Sequence, residues 1–122
     1  WLLVNLGTAI VASTVIRAFQ TSIAELVALA VLMPIVASMG GNAGTQALAV
    51  AVRAIASRDL TESSAPRYIL REAMTAVSNG AIFAALLAGV VIIWFQNALL
   101  AASIAIAVLI TFACAGLAGI LV

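Results

Sequence analysis

The chain has 122 residues, of which 66% are hydrophobic and 7% charged, with a net charge of +1. Soluble domains carry about 45–50% apolar and about 25% charged residues, so a monomer surrounded by water is excluded and lipid must solvate much of the surface. There is no histidine or lysine and only one cysteine, Cys114, which removes the commonest general base, the imidazole metal ligands and any intramolecular disulfide, so the reading is a non-enzymatic membrane protein with no nucleic-acid partner.

The charged residues divide the chain. Arg17, Glu25, Arg53, Arg58, Asp59, Glu62, Arg67, Arg71 and Glu72 leave charge-free runs over 1–16, 26–52 and 73–122. A membrane-spanning helix needs about 20 mostly apolar residues, and the last run holds two, with a break at Trp94-Phe95-Gln96-Asn97. The runs are rich in Ala and Leu and do not alternate as barrel strands would. The expected fold is an all-α, polytopic membrane helical bundle. Its four transmembrane helices cover about 1–19, 22–57, 67–95 and 97–122, the second being overlong.

In the first span, Arg17 lies near the outer end. Glu25, across a short outer turn, is placed to pair with it or to concentrate cations at an outer mouth. The segment 57–66 is flanked by Arg53, Arg58, Arg67 and Arg71. The positive-inside rule makes it cytoplasmic, in an integral, multi-pass protein of the plasma (inner) membrane. Pro66 fits the first turn of the third helix, with Ser63 or Ser64 as its cap. In that helix Arg71 and Glu72 are read as headgroup contacts or a salt bridge, and Asn79 as a helix–helix hydrogen bond. Trp94 and Phe95 suit an interfacial aromatic belt. Ser103, Thr111 and Cys114 read as packing residues of the fourth helix. The chain opens without a Met and ends apolar, as expected of a segment of a larger membrane domain. No internal repeat is visible.

The second span is the informative one. Its core reads Leu32-Met33-Pro34-Ile35-Val36-Ala37-Ser38-Met39-Gly40-Gly41-Asn42-Ala43-Gly44-Thr45-Gln46. Pro34 is expected to kink the helix, and Gly40-Gly41 to loosen it so that carbonyls turn outward. At about 100° per residue, with Ser38 at zero, Asn42 falls near 40°, Thr45 near −20°, Gln46 near 80° and Arg53 near 60°. That is one polar stripe. Gly40 and Gly44 fall near −160° and −120°, a small-residue face suited to close helix contact. Polar side chains at membrane depth are costly unless they face protein or water, so the stripe points to an ion pathway.

Met33-Pro34, Gly40-Gly41-Asn42-Ala43-Gly44-Thr45-Gln46 and then Arg53-Ala54-Ile55-Ala56 together resemble the MgtE family of magnesium channels. The similarity continues through Arg58-Asp59-Leu60, Arg71-Glu72 and Asn79-Gly80. The resemblance implies a homodimer in the lipid bilayer that passes Mg²⁺ down its gradient, with a pore on the dimer axis lined by the second and fifth helices. It implies that this chain holds the first four helices of a five-helix domain. The fifth helix, with its intramembrane aspartate, and cytoplasmic regulatory domains would belong to the full-length protein. Carried to this chain, the pathway residues are Ser38, Gly40, Gly41, Asn42, Thr45 and Gln46. Gly40, Gly41 and Asn42 would hold Mg²⁺ through water, and Pro34 and Gly44 would shape the packing.

Mg²⁺ dehydrates reluctantly and takes oxygen ligands. Between 26 and 52 and between 73 and 122 there is no carboxylate. Glu25, Asp59, Glu62 and Glu72 lie near or beyond the membrane ends and are not expected to reach the Asn42 level, so the compensating charge is expected from a fifth helix beyond this chain. Two other readings share the motif. One is a cation-coupled Mg²⁺ exchanger of the related solute-carrier type. The other is a non-transporting membrane scaffold that dimerises through its glycine face.

Overall fold

The computed structural model describes residues 1–57 and 65–121, with the side chain of Glu25 outside that description. The described elements, all helical, are α1 (Leu2–Ala18), α2 (Gln20–Glu25), α3 (Val27–Ala56), α4 (Ala65–Phe95) and α5 (Ala98–Leu121). α3, α4 and α5 have 30, 31 and 24 residues and are long and apolar enough to cross a membrane. At 1.5 Å per residue they measure about 45, 46 and 36 Å, against a hydrocarbon core of about 30 Å.

The expected first span is a shorter apolar helix of 17 residues. The expected second span is divided at Leu26, whose φ of −122° and ψ of 76° interrupt the helix. The loosening anticipated at Gly40-Gly41 is absent, and α3 is helical through Pro34, Gly40 and Gly41. The physical reason lies in the solvent. Each glycine costs a helix only about 1 kcal/mol relative to alanine, whereas a backbone group left unpaired in hydrocarbon costs several. The caps proposed at Ser63 and Ser64 and the Arg58-Asp59-Leu60 segment lie outside the described residues. Pro66 does sit in the first turn of α4.

Contacts divide the chain into two compact units, Trp1–Met33 and Pro34–Val122. In the first unit, α1 has no buried residue, and Arg17 occupies its last turn, where a cation complements the helix dipole. Phe19 links α1 to α2, donating its N–H to the Ile16 carbonyl and accepting the Ile23 N–H.

In the second unit α5 is the helix on which the others close. Its buried residues are Leu100, Ala101, Ile104, Val108, Phe112, Gly116 and Gly119, a stripe at intervals of three and four residues that lies on one helical face. α4 meets it with Gly80, Ala84 and Val91. The Phe83 and Phe112 rings stack at 5.5 Å between centroids. A Cβ on Gly80 would stand 2.9 Å from Phe112 Cβ, and one on Gly116 would stand 2.5 Å from Ala76 Cβ. α3 packs on α5 by the same device. A Cβ on Gly40 would stand 2.5 Å from the Thr111 methyl, and one on Gly44 would stand 3.4 Å from the Ala115 carbonyl oxygen. Gly119 lies so close to the Gly44 carbonyl, Ala47 and Leu48 that a methyl group there has no room.

The α4–α5 turn is two residues long. Gln96 adopts a left-handed φ of 52° and donates its N–H to the Ile92 carbonyl at 3.0 Å, the closing bond of an αL helix stop. Asn97 then caps α5, its Oδ1 accepting the Leu100 N–H at 3.0 Å. Trp94 and Phe95 meet edge to face beside this turn.

Two stability outcomes follow from this packing. Gly119→Ala should lower the stability of the detergent-solubilised protein by about 1–3 kcal/mol, the usual cost of overpacking, whereas Gly89→Ala, with nothing within 4 Å of the added methyl, should not. Asn97→Ala should cost about 1 kcal/mol through the lost cap. Thermal unfolding of the three variants side by side checks the order.

Candidate ion pathway

α3 presents three different faces. Ser38, Gly41, Asn42, Thr45 and Gln46 are exposed. Gly40 is buried and Gly44 half-buried, both against α5. The two glycines of the Gly-Gly pair therefore separate: Gly40 lies on the packing face with Thr111, and Gly41 lies on the open face beside Asn42. Since α3 is helical at both, their carbonyls do not form the outward-turned cradle expected from the sequence. The Gly41 carbonyl instead accepts the Thr45 hydroxyl at 2.9 Å, a back-bond within the helix. Around Gly41 nothing stands within 4 Å of a would-be Cβ, so nothing among the described residues of the protomer requires glycine there. Pro34 lies inside α3 and begins the second unit. The pairing of Arg17 with Glu25 and the outer-mouth role of Glu25 fall on a side chain outside the described residues.

Gln46 stands at the edge of the open face and also enters a cavity of about 140 Å³. Ala43, Gln46, Ala47 and Val50 line it from α3, Glu72, Thr75, Ala76 and Asn79 from α4, and Phe112 and Gly116 from α5. Sequence reasoning missed this grouping. It took Glu72 as a membrane-end residue in a headgroup contact or salt bridge, yet among the described residues Glu72 forms no ion pair and lines the cavity with Gln46. It took Asn79 as a helix–helix hydrogen bond, and Asn79 makes none among the described residues. The signal was present: Glu72, Thr75 and Asn79 are spaced by three and four, the interval that stacks side chains on one helical face. A carboxylate therefore comes to the neighbourhood of Gln46, about 6 Å along α3 from Asn42 at 1.5 Å per residue.

The glycine contacts that place these faces join residues 40–48 of α3, 76–80 of α4 and 109–119 of α5. Residues 33–122 match the MgtE family, described as a divalent cation transporter. The chain belongs to the MgtE family.

Relatives agree with the family match. Over all 122 residues the chain is 34% identical to the magnesium transporter MgtE of Bacillus subtilis and 35% identical to that of Enterococcus faecalis. Over 89 residues, 73% of the chain, it is 32% identical to the magnesium transporter MgtE of Thermus thermophilus. The chain spans 27% of the length of the first two and 20% of the third. No solved structure matches it. As an MgtE-family chain with three helices fit to span a bilayer, it is an integral, multi-pass membrane protein of a magnesium-transport family.

The open surroundings of Gly41 give a clean test of its role. Gly41→Ala should leave the thermal midpoint unchanged or raise it, since alanine gains about 1 kcal/mol in a helix, so a fall in ion flux in that variant would mark a functional requirement. A lowered midpoint would show a packing role instead.

Proposed function

We propose that this chain is part of the membrane pathway of a Mg²⁺ transporter and that the open face of α3, with Ser38, Gly41, Asn42, Thr45 and Gln46, lines it. The observation that carries the reading is the exposure of this polar face on a helix that crosses the membrane. Facing lipid, the Asn42 and Gln46 amides and the Ser38 hydroxyl would be left without partners at a cost of several kcal/mol. Facing water and a second protomer, they are solvated. A homodimer built on this face supplies both, and the MgtE relatives, named as magnesium transporters, supply the ion.

Hydroxyl and amide oxygens suit a hydrated Mg²⁺, which keeps several waters and is held through them. Asn42 is the centre of this arrangement. Gly41 leaves room beside it for a wide, hydrated ion or for the partner helix. Gly40 contributes by packing α3 onto α5, which fixes the direction in which Asn42 points. In the bilayer the arginine-flanked segment 57–66 faces the cytoplasm.

Dimerisation through the glycine face has no free surface to work with, because Gly40 and Gly44 are covered by Thr111 and Ala115 of the same chain. The scaffold reading based on that face is therefore the weaker one.

In the full-length protein reconstituted in liposomes, Asn42→Leu should abolish Mg²⁺ flux while dimers still assemble in detergent. Wild-type flux in Asn42→Leu would remove the open face of α3 from the pathway.

A further inference from the structure

A half-buried carboxylate on a membrane-crossing helix needs an explanation. Glu72 sits about 10 Å from the start of α4 at 1.5 Å per residue and has no ion-pair partner among the described residues. Acidic side chains on membrane-crossing helices are rare and mark ion pathways. Arg71, its neighbour in sequence, does not neutralise it. Arg71 lines an adjoining open groove with Arg67, Leu70, Met74 and Ser78, which shares Thr75 and Asn79 with the cavity, whereas Glu72 lines only the cavity side, which α3 and α5 frame.

The other polar groups of that cavity complete a set of one kind. Gln46 and Asn79 bring amide oxygens, and neither makes a side-chain hydrogen bond among the described residues. Thr75 spends its hydroxyl proton on the Arg71 carbonyl at 3.0 Å, which leaves its oxygen lone pairs to accept. One carboxylate, two amide oxygens and one hydroxyl oxygen, with no basic side chain in the lining, are the ligands of a hard cation. The remaining walls are Ala43, Ala47, Val50, Ala76, Phe112 and Gly116, which offer a cation nothing and so leave the polar side as the only anchor. A volume of about 140 Å³, against about 10–15 Å³ for each water position, admits an ion together with part of its water shell.

We propose that this cavity is a divalent-cation site contained within one protomer, where the Glu72 carboxylate supplies the charge and Gln46, Thr75 and Asn79 hold the ion's remaining waters. The identity of the ion, Mg²⁺, rests on the transport reading above, but the site itself needs no second chain. Gln46 belongs to both the cavity and the open face of α3. The ion therefore waits one helical turn from Asn42, and the site serves as a loading station that raises the local cation concentration beside the pathway.

The test uses the full-length protein in detergent, with Mn²⁺ as a paramagnetic stand-in for Mg²⁺ and free Mn²⁺ read by electron paramagnetic resonance. Glu72→Gln preserves shape and removes charge. It should lose one Mn²⁺ per protomer relative to wild type, or bind it at least about tenfold more weakly, because affinity in such sites follows the number of charged ligands. Asn79→Asp should tighten the same site by about tenfold for the same reason, and it decides the matter if Glu72→Gln does not fold. Excess Mg²⁺ should displace the Mn²⁺ in wild type. Unchanged Mn²⁺ stoichiometry and affinity in a folded Glu72→Gln, or no tightening in Asn79→Asp, overturns the proposal. Asn42→Leu separates this site from the pathway, since it should stop flux and keep the Mn²⁺. If Asn42→Leu conducts normally while Glu72→Gln loses its Mn²⁺, the pathway reading falls and the cavity site stands.

Discussion

Hydrocarbon offers no partner for a peptide group and no hydrophobic reward for bringing two helices together. The first fact keeps α3 helical through a proline and a pair of glycines, because any opening would strand backbone donors and acceptors. The second means that the bundle must be held by contact at short range. The α5 seam shows how. Gly116 admits Ala76, Gly119 admits the backbone of α3 at Gly44, and Gly80 admits Phe112. Few large side chains are buried, and long apolar ones such as Leu70, Ile93 and Leu99 remain exposed, as suits a surface that lipid wets as well as protein would.

From that seam comes the division of labour on α3. A helix has room for several faces only if each is assigned to a different neighbour. Here one face is given to α5 through Gly40 and Gly44, one to the cavity through Ala43, Gln46, Ala47 and Val50, and one is left open among the described residues through Ser38, Gly41, Asn42 and Thr45. The adjacent glycines Gly40 and Gly41 look equivalent in sequence and are opposite in use. The first must be small because Thr111 is there; the second is small with nothing among the described residues against it.

Much of this was legible in the residues themselves. Charge-free runs gave the helical class and the positions of α3, α4 and α5, because burial in lipid is written in composition. The 3.6-residue period separated the Ser38–Asn42–Thr45 stripe from the Gly40–Gly44 face, since both periods are local. The break at Leu26 and the persistence of the helix through Gly40-Gly41 were misread. Local glycine and proline preferences were weighed without the penalty that lipid sets on an open backbone. Glu72 was missed for a different reason. Gln46, which lines the same cavity, is on another helix, and a grouping across helices depends on how the α5 seam rotates α3 and α4, which no single stretch of sequence states. Only the spacing of Glu72, Thr75 and Asn79 along α4 hinted at it.

The two-residue turn at Gln96-Asn97 bears on how the protein enters its membrane. From Ala73 to Leu121 there is no charged side chain, so α4 beyond Glu72, the turn and α5 can cross the bilayer as one hairpin. The polar load of that crossing at the tip is a pair of amides, one of them already spent on the first turn of α5. A charged residue at the tip would have added about 2.5–3.5 kcal/mol at the bilayer centre during passage. The two-residue turn thus costs the α4–α5 hairpin little in hydrocarbon and keeps the two sides of its packing seam adjacent in sequence.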